Sequence, residues 1–133
     1  MGIVLDDRLL GEIIGHAREC LPEEACGFLV GPSGAVRRFV PAPNALRSRT
    51  AFEVDPAFLF DLFRKLRSSG EDLLAICHSH PTGPAVPSAR DVAEAHYPDC
   101  AYVIISLAGA QPEIRAFRIV EREVIEIELH AIV

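Results

Sequence analysis

Apolar residues recur at helical spacing in three segments of the chain, and each segment carries a boundary signal. The pattern predicts helices over Asp6 to Leu21, Asp55-Pro56 to Ser69-Gly70, and Ala89 to about His96. Pro22 follows the first segment and would stop it. Asp55 is suited to cap the second helix because Pro56 then takes the first helical position, and Ser88 is suited to cap the third.

Shorter apolar runs predict six strands: Gly27 to Gly31, Ala35 to Val40, Leu73 to Cys77, Ala101 to Leu107, Glu113 to Val120, and Glu123 to about Ala131. The third run is apolar throughout, which is typical of a strand buried on both faces. The last run alternates with glutamates, as an edge or outer strand does. The order α-β-β-α-β-α-β-β-β predicts a single domain over residues 1–133, an α/β three-layer sandwich with a mixed sheet flanked by helices.

Composition narrows the class of protein. The 133 residues are 50% apolar and 24% charged, which is typical of a soluble globular domain. A net charge of −6 argues against nucleic acid or an anionic membrane as the main partner. No apolar run reaches the roughly 18 residues of a membrane-spanning helix. The acidic start has no basic segment of a secretory signal, so we expect a cytoplasmic protein.

The four cysteines form no C-x-x-C pair, which excludes a zinc ribbon or a thioredoxin motif. Most lie in apolar stretches, so we expect reduced, structural thiols. Cys77 precedes His78 and is the thiol whose reactivity would matter most.

Candidate metal ligands follow the third predicted strand. His78 and His80 are two residues apart, so their side chains can point the same way. Asp91 lies one helical turn after Ser88, and a proline-rich loop can fold that helix back toward the histidines. Two imidazoles and a carboxylate are what a catalytic zinc ion binds, with the fourth position left for water. The sequence therefore predicts a zinc site at His78, His80 and Asp91.

Hydrolysis also needs a base and a donor to the developing oxyanion. Glu24, which precedes an apolar strand, is suited to take the proton of the attacking water. Its neighbour Glu23 competes for the role, and the spacing to Gly27 favours Glu24. The Ser88 hydroxyl is suited to stabilise the oxyanion, although a plain helix cap also explains a serine there.

The pattern E…H-S-H-P-x(6)-S-x-x-D, with Pro22-Glu23-Glu24-Ala25-Cys26-Gly27 upstream, resembles the JAMM (MPN-plus) metalloproteases. The resemblance implies a cytidine-deaminase-like fold and one zinc ion per chain, bound by His78, His80 and Asp91. It further implies Glu24 as general acid/base and Ser88 as the residue that steadies the intermediate. Asn44 and the segment Phe52-Glu53-Val54-Asp55-Pro56 are similar to the short bacterial branch, which includes the Mec-type peptidases.

That resemblance implies a substrate class. The expected reaction is hydrolysis of the amide after the C-terminal Gly-Gly of a ubiquitin-like or sulfur-carrier protein, for example release of cysteine from a carrier–cysteine adduct. Arg47 and Arg49 would then contact the partner's tail, unless they only form a solvated loop. Two alternatives stay open: a non-catalytic MPN-type scaffold, and a general deconjugase that releases ubiquitin-like modifiers from lysine.

Overall fold

A computed structural model describes residues 2–132, which form one seven-stranded sheet with helices on both faces. The elements in chain order are β1 (Gly2–Asp6), α1 (Asp7–Cys20), β2 (Cys26–Gly31), a 3-10 turn (Pro32–Gly34), β3 (Arg38–Ala42), α2 (Pro56–Ser69), β4 (Asp72–His80), α3 (Ala89–Ala93), β5 (Ala101–Ser106), β6 (Glu113–Val120) and β7 (Glu123–Ile132). The strand order is β1-β7-β6-β5-β4-β2-β3. The predicted α/β sandwich with a mixed sheet is confirmed.

Strands β4 and β5 form the parallel centre of the sheet, and His80 pairs with Ser106 where both strands end. Strand β2 runs antiparallel to β4 on the other side, with Cys26 opposite His78. The start of β2 and the end of β4 therefore lie at the same edge of the sheet. This edge is where the candidate site is built.

Alternation along β4 decides which layer each of its side chains enters. Ala75 and Cys77 pack into the core beneath α1, whereas Ile76 packs into the core beneath α2. His78 and His80 follow the parity of Ile76, and they share the α2 side of the sheet. Both cores are apolar, and a fully buried Leu29 or Leu5 contributes roughly 1.5–3 kcal/mol by leaving water.

Strand β1 was not predicted, and its position corrects the interpretation of β7. β1 pairs in parallel with β7, so β7 lies between β1 and β6 and is not an edge or outer strand. β1 has only five residues and runs directly into α1, so its local pattern resembles the start of the helix. Its strand geometry depends on hydrogen bonds to a segment more than 100 residues away.

Three predicted boundaries also shift. β3 begins at Arg38 and not at Ala35, because the 3-10 turn ends at Gly34 and the chain next bonds to β2 where the Arg37 N–H donates to the Val30 carbonyl. β4 extends through His80, so both histidines lie within the strand. α3 ends at Ala93, short of the predicted His96. None of the helices within residues 2–132 is long and apolar enough to cross a membrane.

Candidate metal centre

Three side chains converge at the end of β4. His78 Nε2 and His80 Nε2 are 3.1 Å apart, and each lies 3.1 Å from Asp91 Oδ2. Metal–ligand bonds of about 2.0–2.1 Å in tetrahedral geometry hold donor atoms about 3.3 Å apart. The spacing therefore fits a divalent cation, and these residues form a His-His-Asp group able to hold one.

The two histidine rings are oriented differently. The His80 Nδ1–H donates to the Pro84 carbonyl at 2.7 Å, and in the neutral ring this tautomer would offer the Nε2 lone pair to a metal. The His78 ring stacks on Phe52, with centroids 4.6 Å apart and an angle of 25° between the planes. His78 Nδ1 is buried and has no hydrogen-bond partner among the described residues. On the Nδ1 side, stacking on Phe52 and not a hydrogen bond thus restrains this ring.

Asp91 is oriented by the cap of its own helix. The Ser88 side chain accepts from the Asp91 N–H at 3.1 Å, and Asp91 Oδ2 accepts from the Ser88 N–H at 2.9 Å. Burial would raise the pKa of Asp91, but hydrogen bonds from His78 and His80 outweigh it and lower the pKa well below its usual range. Asp91 is therefore an anion at neutral pH, as a cation ligand has to be.

The pKa of the His80 ring is also shifted by its surroundings in the site. Burial would lower the pKa of its ring, but the hydrogen bonds to Asp91 and Pro84 and the negative charges of Asp91 and Glu24 raise it overall. The site thus presents a strongly negative environment that favours positive charge at its centre.

Glu24 approaches this centre from a different part of the chain. Its N–H donates to the Ser48 carbonyl at 2.8 Å, and its own carbonyl accepts from the Asn44 side chain at 3.1 Å. The residue is only 4% exposed, and Oε1 has no hydrogen-bond partner within residues 2–132. Burial raises the pKa of Glu24 to about 7, with Asp91 adding to the effect and His80 and Arg90 opposing it.

A buried carboxylate with a free oxygen beside a metal site is suited to proton transfer near neutral pH. Glu23, the competing candidate, is half-exposed, and its N–H donates to the Cys20 carbonyl at the end of α1. It does not line the cavity that contains Glu24. The geometry therefore favours Glu24 over Glu23.

Two cavities meet at the centre. The first, of about 400 Å³, is here called the tail cavity; it is mostly apolar, with Phe28, Phe52, Leu59 and Tyr102 among its walls and His78 and Asp91 at one end. The second, of about 250 Å³, is the loop cavity, and its walls include Glu24, Arg49, Thr50, His80 and Ser88. The His-His-Asp group thus contributes to the walls of both cavities.

Some site features were missed from the sequence. Ser79, between the two histidines, faces the opposite side, and its Oγ accepts from the Ala25 N–H at 2.8 Å, which anchors the residue next to Glu24. A buried hydroxyl in an apolar strand was the available signal. Cys77 also faces away from the site, and burial raises the pKa of its thiol, with Cys26 adding to the effect. It is a packing residue.

Comparison with known proteins supports one family. A family model described as prokaryotic homologs of the JAB domain matches residues 6–120. The chain is 37% identical over 127 residues to the CysO-cysteine peptidase of Mycobacterium tuberculosis, covering 93% of this chain and 87% of that protein. It is 40% identical over 114 residues to a probable TtuB-protein conjugate cleaving protease of Thermus thermophilus, covering 85% and 73%.

A solved structure is also similar. The solution structure of a Desulfitobacterium hafniense protein superposes with a TM-score of 0.87 at 36% sequence identity, covering 98% of this chain and 92% of that one. The match extends over all the elements that build the site.

Proposed function

We propose that this chain, which belongs to the prokaryotic JAB-domain family of JAMM-type proteins, is a zinc peptidase. Its proposed substrates are carrier-protein adducts. Its reaction is hydrolysis of the amide after the C-terminal Gly-Gly of a ubiquitin-like or sulfur-carrier protein. One observation carries this proposal: three convergent donor atoms adjoin a cavity lined by a buried carboxylate whose Oε1 makes no hydrogen bond to any described residue.

The ligand set supports zinc. Two imidazole nitrogens and one carboxylate oxygen make up the three-ligand set of a catalytic zinc site. When bound, the zinc ion would polarise the scissile carbonyl and lower the pKa of a water molecule. His78, His80 and Asp91 would hold it.

Glu24 has the proton-transfer role in this proposal. Its free Oε1 accepts a proton from the water that attacks the carbonyl carbon, and the same proton then passes to the nitrogen of the leaving amine. The carbon–nitrogen bond breaks, leaving a carboxylic acid on the carrier and a free amine. Burial raises the pKa of Glu24 to about 7 in the metal-free protein, which supports a role in proton transfer near neutral pH.

Ser88 is proposed to stabilise the oxyanion. Its Oγ already accepts a hydrogen bond from the Asp91 N–H, so its own hydrogen is free to donate. Ser88 lines the loop cavity together with Glu24 and His80, which supports this role for the hydroxyl. One serine thus caps α3 and donates to the substrate.

The substrate class rests on the relatives and on the shape of the site. His78 is 2% exposed and His80 is 8% exposed, so a carbonyl flanked by glycines reaches them more easily than one flanked by side chains. The tail cavity is mostly apolar, although Glu53, Glu94 and His96 also line it, and its apolar part suits an apolar side chain upstream of the diglycine. A tail bound in extended form beside the sheet would add backbone hydrogen bonds.

The leaving amine defines two versions of the function. Similarity to the CysO-cysteine peptidase favours release of cysteine from a carrier–cysteine adduct. Similarity to the TtuB-conjugate cleaving protease favours release of a carrier from protein lysines as the second candidate. A non-catalytic scaffold is not supported, because the donor set and Glu24 are both present. The four unpaired cysteines fit the reducing compartment, the cytoplasm, in which we place the protein.

The deciding experiment compares two conjugates of one carrier ending in Gly-Gly. Zinc-loaded protein is incubated with carrier–cysteine and with the carrier joined to a lysine side chain, and intact masses are measured over time. We expect the carrier to lose cysteine, and a His78→Ala/His80→Ala variant to lose both zinc and turnover. If protein containing one zinc per chain hydrolyses neither of the two conjugates, the proposed function is rejected.

A further inference from the structure

The two cavities at the metal centre are not equivalent, because Glu24 lines only the loop cavity. Glu24 has to deliver a proton to the nitrogen of the leaving amine, and direct transfer requires hydrogen-bond distance. The leaving amine therefore lies on the loop-cavity side, and the acyl tail lies on the side of the tail cavity. The walls of the loop cavity then select the amine.

Arg49 supplies the positive charge in that cavity. Its side chain has no hydrogen-bond or ion-pair partner within residues 2–132, and it lines the cavity beside Thr50 and Ser88. The other ionisable groups in the cavity wall are Glu24 and His80. An unpaired guanidinium at the mouth of a small cavity is suited to bind a carboxylate through two parallel hydrogen bonds.

The position of Arg49 is fixed by the same contacts that fix Glu24. The Ser48 carbonyl accepts from the Glu24 N–H at 2.8 Å, and the Ser48 hydroxyl accepts from the Thr50 N–H at 3.1 Å. Asn44 donates to the carbonyls of Glu24 and Ala51, at 3.1 and 2.9 Å. Residues on both sides of Arg49 are thus tied to the backbone of the proposed proton carrier, which fixes the backbone of Arg49 beside Glu24.

We propose that the loop cavity is the leaving-group subsite and that Arg49 binds the α-carboxylate of a released amino acid. This inference rests on the proposed function and deepens it by naming the chemistry of the amine. An α-amino acid carries its carboxylate one carbon from the reacting nitrogen, where Arg49 can pair with it. The side-chain amine of a protein lysine has no such group. Arg49 therefore favours carrier–amino acid adducts over lysine conjugates.

The test uses two substrates that differ in one group: carrier–cysteine with its free carboxylate, and carrier–cysteinamide. Wild-type protein is expected to show a kcat/KM ratio of about tenfold or more in favour of the acid, as a hydrogen bond to a charged group provides. Arg49→Gln should bring the ratio close to one, and Arg49→Lys should keep part of it. Arg47→Gln is the matched control, because Arg47 is also exposed in this loop but does not line the cavity; it should keep the wild-type ratio.

Each outcome separates this inference from the proposed function. Equal hydrolysis of the acid and the amide by wild-type protein would overturn the assignment of Arg49 and leave the proposed function intact. An equal loss on both substrates in Arg49→Gln would also overturn it, because Arg49 would then act on the carrier or on Glu24. Failure of zinc-loaded wild type to hydrolyse carrier–cysteine, carrier–cysteinamide and the lysine conjugate would instead reject the proposed function. Zinc content and melting temperature are measured for every variant to detect misfolding. The comparison of the acid and the amide by wild-type protein does not depend on any variant.

Discussion

The buried carboxylate oxygen Oε1 of Glu24 accepts no hydrogen bond from any of the described residues. An unsatisfied buried polar atom costs about 1–3 kcal/mol, so its presence beside three metal ligands points to use in chemistry. Glu23 has the same side chain one residue earlier, but it lies outside the cavity. The adjacent pair therefore provides a matched test of position.

Glu24→Gln should retain zinc and fold but lose most turnover, because an amide cannot carry the proton. The deficit is expected to be several kcal/mol in the barrier, or at least about a thousandfold in kcat. Glu23→Gln should be nearly silent. Steady-state kinetics and zinc analysis of both variants test this prediction. A larger loss of kcat in Glu23→Gln than in Glu24→Gln would show that Glu23 is the proton carrier.

Glu24 should also make the metal-free protein less stable at higher pH. Its folded pKa of about 7 lies above the ordinary 4.5, so the unfolded chain releases the proton first as pH rises. The folded state therefore loses stability between pH 4.5 and 7, and Glu24→Gln escapes this loss. At pH 8 the variant should be more stable by up to about 3 kcal/mol, and the difference should vanish near pH 4.

Urea unfolding of chelated protein at several pH values measures this difference, with Glu23→Gln as control. A stability gain in Glu24→Gln that does not change with pH would show that ionisation of Glu24 is not its cause.

At the scale of elements, α3 has only five residues and depends on its cap. Helices this short are unstable alone, so the reciprocal hydrogen bonds of Ser88 and Asp91 have to hold the turn that presents Asp91. The cap is thereby part of the metal site. It also makes the two proposed roles of Ser88 separable by substitution.

Ser88→Ala removes both the cap and the hydroxyl donor, so we expect lower thermal stability and a kcat reduced by about 10² or more. Ser88→Asp restores a cap but puts negative charge where the oxyanion develops. It should melt higher than the alanine variant and be at least as inactive. Melting curves and kcat for both variants provide the comparison, and wild-type turnover in a stable Ser88→Asp would leave the serine as a cap alone.

The connection between β2 and β3 depends on a glycine. A Cβ added to Gly31 would lie 1.8 Å from the Ala35 carbonyl oxygen, whereas one added to Gly11 on α1 would contact nothing within 4 Å. Gly31→Ala should therefore cost more than about 2 kcal/mol. Gly11→Ala should gain up to about 1 kcal/mol, because alanine favours the helix. Urea unfolding measures both, and equal effects would contradict this account of the turn.

At the scale of the whole molecule, the proposed metal joins elements that are distant in the chain. Two ligands lie on β4 and the third on α3, and the loop between them carries three prolines. A ligand that binds only the folded state adds about 2.7 kcal/mol of stability when its free concentration is 100 times its Kd. The proposed metal would therefore contribute to fold stability as well as to chemistry.

Chelation should lower the melting temperature and loosen α3 before the sheet. Hydrogen exchange of residues 88–94 should accelerate without zinc, while β5 at the centre of the sheet stays protected. The His78→Ala/His80→Ala variant is the control and should not respond to zinc. Unchanged exchange in α3 after complete zinc removal would show that the ion does not hold this helix.

Local sequence determined most elements and the spacing of the site residues. The caps at Asp55 and Ser88, the apolar run before His78, and the interval from His80 to Asp91 are all short-range patterns. Each reflects hydrogen bonding or side-chain parity within about one turn or one strand, so it can be predicted without the rest of the chain. The α/β sandwich and the family followed from the same patterns.

Only the tertiary structure decided what depends on distant partners. β1 became a strand through pairing with β7, and Glu24 was brought to the histidines by hydrogen bonds such as Ser79 Oγ with the Ala25 N–H, 54 residues apart. The place of Glu24 and Arg49 in one cavity wall, and the position of Glu23 outside it, arose in the same way. Local periodicity sets which face of an element is apolar. A cavity, in contrast, is lined by residues from several segments, so its charge and its occupant are defined only when those segments pack together.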